Sequence, residues 1–202
     1  MGGKTGLKIE VIFQKGGGAL RMAEAIRLGV HRDTLRQMVD EGRLEKVDRG
    51  LYSLPGLLVD QAHPDLAVVG NRAPAGVICL VSALAFHGLT TRIPLAVDLA
   101  IEPRAAAPRL GQPPVRVFRF GGKSFEEGRE THGEGAFRFR VYSREKTLAD
   151  CFKFRRVVGL DTCLEALRKY RDSGRFDGGL LEHHAGVCRV SRVMRPYLEA
   201  IA

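Results

Sequence analysis

Long apolar runs are missing from this chain of 202 residues. No stretch approaches the roughly 20 consecutive apolar residues of a membrane-spanning helix, and the N-terminal MGGKTGLKIE lacks the apolar core of a secretory signal. The expectation is a soluble, cytoplasmic protein without membrane contact. Cysteine is scarce: Cys79, Cys151, Cys163 and Cys188 stand far apart among apolar neighbours. That pattern reads as buried thiols in a reducing compartment and excludes a disulfide framework. With 45% hydrophobic and 27% charged residues, wholesale disorder and collagen-like structure are excluded too.

Basic charge is what the chain has in excess. Lys and Arg number 32 against 23 Asp and Glu, giving +9 and a pI near 9.8, a balance suited to nucleic acid or an acidic protein. The excess is spread out: residues 1–60 carry ten basic and eight acidic groups (+2), residues 61–150 twelve and nine (+3), and residues 151–202 ten and six (+4).

The first 54 residues hold a dense series of local signals. Leu7, Ile9, Val11, Ile12 and Phe13 precede a triple glycine at 16–18 that should stop a first helix. Leu20, Ala23 and Ile26 mark a second helix closed near Gly29, and Leu35, Met38 and Val39 a third that ends at Gly42. Two apolar segments, 44–47 and 51–54, then flank Asp48-Arg49-Gly50, a hairpin signal. Three helices and a hairpin, in that order, predict a winged helix-turn-helix over residues 1–58.

Residues 59–202 read as a mixed α+β domain. The spacing predicts a buried helix over 77–85, a buried strand over 96–101 and half-buried strands over 115–120 and 136–142. Four prolines make 103–114 a loop, and five glycines make 121–135 another. Ser143 is a good helix N-cap, and Leu160, Cys163, Leu164 and Leu167 form an apolar helical stripe. A final helix carries Val190 to Ile201, with Pro196 kinking or interrupting it.

Residues 19–55, ALRMAEAIRLGVHRDTLRQMVDEGRLEKVDRGLYSLP, resemble the N-terminal winged helix of the AbiEi family, antitoxins of type IV toxin–antitoxin systems. CLVSALAFHGL at 79–89 is similar to the middle of that family, and VYSREKTLADCFKFRRVVGLDTCLEALRKY at 141–170 to its C-terminal part. The pairing of the two halves makes the resemblance specific. It implies a repressor of its own operon that binds inverted repeats in promoter DNA. It also implies a C-terminal domain that opposes a nucleotidyltransferase-fold toxin, by contact or by antagonising its effect. One departure stands out: where the family often has Ser or Thr before the recognition helix, this chain has His31, a weaker cap.

With Leu35, Met38 and Val39 inward, the 100° step turns Asp33, Arg36, Gln37 and Asp40 outward. Arg36 and Gln37 are the base-reading candidates, because arginine bonds guanine bidentately and glutamine adenine. His31, Arg32 and Thr34 at the helix start, and Lys46 and Arg49 on the hairpin, are candidates for phosphate or groove contact. With only +2 on this unit, tight binding calls for two copies self-associating on a repeated site. Lys146, Lys153, Arg155, Arg156, Arg168, Lys169 and Arg171 form the expected toxin-facing cluster, whose ordinary alternative is solvated helix faces.

Fragments of enzyme motifs are also present. Gly3-Lys4-Thr5 copies the end of a phosphate loop without its upstream strand or first glycine. Ser143-x-x-Lys146 spells an acylation motif without its companions, a distant pattern that a helix cap explains. Asp98 and Glu102, with Arg104, suggest a metal-dependent nuclease. His183, His184 and Cys188 have zinc-ligand character but no evident fourth ligand. The reading is therefore a non-enzyme without cofactor or metal. Its alternatives are a plain winged-helix transcription factor whose second domain dimerises or senses a ligand, and a nuclease.

Overall fold

The computed structural model describes residues 2–57 and 62–201, so part of the linker expected after Pro55-Gly56 lies outside the described residues. The chain divides into two compact units. One holds Met1–Asn71 with Gly133–Arg138, the other Arg72–His132 with Phe139–Ala202. This places the break some 13 residues beyond 58 and adds a short excursion at 133–138 to the first unit.

In the first unit, α1 (Gly2–Lys15) stops at the glycine run. The N–H of Gly18 bonds the carbonyl of Phe13 at 2.7 Å and that of Gly17 the carbonyl of Gln14 at 3.1 Å, the paired bonds of a Schellman end. Strand β1 (Ala19–Arg21), α2 (Met22–Arg27), α3 (Arg32–Asp40), β2 (Glu45–Asp48) and β3 (Leu51–Ser53) follow. The three strands form an antiparallel sheet ordered β1-β3-β2. This is the winged helix the sequence predicts, with one revision. Leu20 belongs to a strand opposite Tyr52 rather than to the second helix, because pairing with β3 overrides a weak local helical pattern. The shortened α2 accordingly buries Ala25 and leaves Ile26 exposed.

Gly29 makes the turn between α2 and α3. Its φ of +88° lies in the left-handed region, which an L side chain enters at a cost. The N–H of Val30 returns to the carbonyl of Ala25 and that of Gly29 to the carbonyl of Ile26, both at 3.0 Å. Ile9, Phe13, Leu20, Ala25, Val30, Leu35, Met38 and Leu44 pack into one core. At the hairpin a bulge shifts the register between Lys46 and Asp48, with Gly50 at φ +75°. Helix α4 (Pro64–Arg72) follows, and Asn71 Nδ2 donates to the carbonyl of Ala136 at 2.9 Å, next to the 3-10 turn Gly135–Phe137.

The second unit is built on a mixed five-stranded sheet ordered β6-β5-β4-β8-β7. Its strands are β4 (Val77–Ile78), β5 (Val97–Ile101), β6 (Val115–Arg119), β7 (Arg129–His132) and β8 (Phe139–Tyr142). The expected helix over 77–85 is a two-residue strand followed by α5 (Leu80–Phe86), since Val77 and Ile78 are needed between β5 and β8. The glycine-rich loop over 121–135 contains a short helix α6 (Lys123–Glu126) and edge strand β7, which periodicity did not betray. Helices α7 (Arg144–Lys153), α8 (Arg155–Val158), α9 (Leu160–Asp172), α10 (Gly178–Val187) and α11 (Ser191–Ile201) complete the unit. Ser143 caps α7, its hydroxyl accepting the N–H of Lys146 at 3.3 Å. Helix α11 runs through Pro196 without the expected interruption, and α10, which opens on two glycines, gave no apolar signal. Apolar residues of α5, α7, α9, α10 and α11 share a core with Val77, Ala100, Phe120 and Tyr142 from the sheet and its flank.

Candidate nucleic-acid interface

Burial of Leu35 and Met38 fixes how α3 is rotated. His31, Arg32, Asp33, Arg36, Gln37 and Asp40 are exposed and Thr34 is half-buried. Arg36 and Gln37 therefore share the open face, in the part of a helix-turn-helix that enters a major groove. Gln37 is not idle: its Nε2 donates to Glu41 Oε1 at 2.7 Å, which leaves its second N–H and Oε1 open. His31 occupies the N-cap with no side-chain capping bond, in keeping with its departure from Ser or Thr.

The end of α3 is anchored. Arg43, just beyond the helix, pairs with Glu10 of α1 at 3.0 Å and with Glu41 at 3.7 Å, while Leu35 and Met38 hold the helix in the core behind its exposed face. Lys46 and Arg49 are exposed on the hairpin, and Asp48 Oδ1 accepts the N–H of Arg49 at 2.6 Å, a short local bond that shapes the tip. Recognition helix and wing thus present four exposed cations, Arg32, Arg36, Lys46 and Arg49. Asp33 and Asp40 on the same helix oppose phosphate.

The expected toxin-facing cluster separates into different environments. Lys153 and Arg156 are exposed and Arg155 half-buried around the α7–α8 junction, where Arg155 Nη1 donates to the carbonyl of Phe152 at 3.0 Å. Arg168 is exposed, Lys169 pairs with Glu165 of its own helix at 3.5 Å, and Arg171 pairs with Asp172 at 2.9 Å. Lys146 does not belong with them. It is fully buried, its Nζ 2.5 Å from Asp150 Oδ2 and 4.2 Å from the ring centre of Tyr142. One helical turn separates Lys146 from Asp150, and both face the core, so the pair is part of the packing.

Around that pair lies a buried polar network. Cys188 Sγ donates to Asp150 Oδ1 at 3.1 Å, and burial, with the Asp150 charge, pushes the thiol up to about 12. Burial raises Asp150 as well, against the attraction of Lys146. The Tyr170 hydroxyl donates to Glu145 and accepts the N–H of Asp177 at 3.0 Å.

The enzyme-like fragments do not assemble. Asp98 is buried and held by Arg116, whose Nε and Nη2 reach its two oxygens at 2.8 and 3.1 Å. It also accepts the N–H of Val81 at 3.1 Å. Glu102 lies four positions along an extended segment, about 13 Å away, too far to share an ion with Asp98. Gly3-Lys4-Thr5 lies within α1 rather than in a loop. The zinc set is rearranged: Cys188 turns to Asp150, while Glu127, His183 and His184 bring donor atoms within 4.8 Å of one another. His183 Nε2 and Glu127 Oε2 are 2.7 Å apart. The buried His184 has no partner on Nδ1, and burial, with His183 and Lys146 nearby, lowers its pKa. The field of Lys123 at Glu127 and of Lys146 at His184 opposes a cation there.

Among the described residues no helix is long and apolar enough to cross a membrane. Residues 9–55 match the model of a family described as "Transcriptional regulator, AbiEi antitoxin". This segment runs from α1 to the end of the hairpin and contains the whole recognition helix and wing. Among curated proteins, none matches the chain.

Proposed function

We propose that this chain is a cytoplasmic DNA-binding repressor of its own operon and the antitoxin of a type IV toxin–antitoxin system, opposing a toxin of nucleotidyltransferase fold. The observation that carries the DNA-binding part is an α3 seated in the core by Leu35 and Met38, whose exposed face holds Arg36 and Gln37 beside a basic wing. The family match over 9–55 supports both parts, and the resemblance at 79–89 and 141–170 extends the reading to residues 59–202 as the antitoxin domain. In this reading the protein performs no chemistry.

Two copies occupy an inverted repeat, each reading one half-site, because a unit with little net charge neutralises few phosphates by itself. In footprinting of the promoter, scrambling one half-site should therefore weaken protection of the other. Unchanged single half-site protection at saturation is the outcome that defeats paired binding. The antitoxin part is tested by co-expression with an adjacent nucleotidyltransferase gene, scoring relief of growth arrest.

Within the second unit, Arg156, exposed, and Arg155 beside it are the cations we assign to antagonism. Substituting both with alanine should impair relief of toxicity and leave operator binding intact. Full relief by the double variant removes them from that role.

A further inference from the structure

An open cleft of about 970 Å³ in the second unit lies between α6, the α7–α8 junction and the end of α10. Lys123, Lys153, Arg155 and Arg189 line it, and no carboxylate does. Among the described residues, Lys123, Lys153 and Arg189 have no carboxylate within ion-pair distance. Four cations converging on a concavity without counter-charge repel one another, and an anion relieves that repulsion. Of the acids near the cleft, Glu127 is engaged by His183, Glu126 by Arg129 and Asp150 by Lys146.

Two backbone positions in the lining bear on the cleft, the first of them the left-handed residue of the Schellman end of α10. Arg189 has φ +59° at the end of α10, where its N–H bonds the carbonyl of Gly186 at 3.0 Å and that of Val190 the carbonyl of Ala185 at 2.8 Å. That left-handed position normally takes glycine, and here a strained arginine holds it at the rim of the cleft. Gly186 is the converse. It sits inside α10 with a φ that is not left-handed, and a Cβ built on it would meet nothing within 4 Å. Helix stability favours alanine there, and a methyl at this lining position would project into the open space of the cleft.

We propose that this cleft binds a multiply charged phosphate ester of nucleotide size. Its phosphates lie among Lys123, Lys153, Arg155 and Arg189, and its organic body rests against Val187 and Val193. Arginine and lysine suit phosphate by charge-assisted bonds, the volume is that of a small-molecule site, and the valines supply apolar contact. Such a site gives the second unit a ligand of its own, whether or not the operator is bound.

The test is calorimetric titration of the full chain with ATP and with inorganic pyrophosphate as probes. ATP is expected to saturate one site at or below about 1 mM. Affinity should fall at least about tenfold in the Lys153→Ala/Arg189→Ala variant and stay unchanged in Arg36→Ala, which alters only the first unit. Gly186→Ala is the second variant: its thermal midpoint should rise by about 2 °C while ATP binding weakens, a combination that a purely structural glycine does not give. No saturation near 1 mM, or ATP binding untouched by Lys153→Ala/Arg189→Ala, overturns the site. Pyrophosphate binding as tightly as ATP overturns the part assigned to the organic body.

Discussion

Lys146→Ala is expected to lower unfolding stability by about 3–5 kcal/mol in urea titration, the range for removing one partner of a buried ion pair. Both side chains are completely inaccessible, so the variant leaves a buried carboxylate without its cation. Asp150 would keep only the Cys188 thiol, a weak donor. The contacts of the ammonium with Tyr142 and, at 5.1 Å, Phe120 go too. Burial already raises Asp150 in the intact protein, and removing Lys146 raises it further. A carboxyl whose folded pKa lies above its unfolded value costs stability above the folded pKa, and the cost disappears as pH falls below the unfolded one. The deficit of Lys146→Ala should therefore shrink on acidification. Replacing the pair together, with Lys146→Met and Asp150→Leu, should recover most of the loss, since apolar side chains of similar volume need no compensation. A loss below about 1 kcal/mol in the single variant would show that the network tolerates an unpaired Asp150, contrary to its burial.

The second large effect concerns the recognition helix. Arg36→Ala should weaken operator binding by about 1–3 kcal/mol at each half-site, hence by about 2–6 kcal/mol on a repeat occupied by two copies. Specificity should relax at the base pair it reads. Gln37→Ala should cost less, because a neutral amide pair to adenine lacks the charge assistance that Arg36 has. Lys46→Ala and Arg49→Ala should behave differently, weakening all sequences alike and lowering the salt slope by about one unit per lost phosphate contact. All four side chains are exposed, so thermal stability is expected to stay within about 0.5 kcal/mol of the parent. Electrophoretic mobility shift at several salt concentrations separates these cases. Operator affinity unchanged in Arg36→Ala would move base reading to another element.

Gel shifts on the operator and urea titrations thus address the two units separately, and the legibility of the two units also differs. In the first, helix stops are written as glycines and the hairpin as Asp48-Arg49-Gly50, all local features, so α1, α3, the hairpin and the outward set on α3 could be read directly. The misplacement of Leu20 came from a strand whose partner, β3, lies 30 residues on. In the second unit, β4 and β7 are strands only because neighbours take them into the sheet, and glycine-rich 121–135 gave no periodicity to reveal α6.

The sequence by itself determined the winged-helix order, the α+β character of the remainder, the rotation of α3 and the family resemblance. Each rests on spacing within a few residues, where backbone geometry alone decides which side chains share a face. Only the tertiary structure decided what the charges do. Lys146 and Arg155 looked alike in the chain, yet one is sealed against Asp150 and the other lines a cleft with Lys123, Lys153 and Arg189. A charge's role depends on its solvation and on counter-charges brought from distant positions. Neither is written in the local pattern, so the +9 could be counted in the sequence but assigned only in the fold.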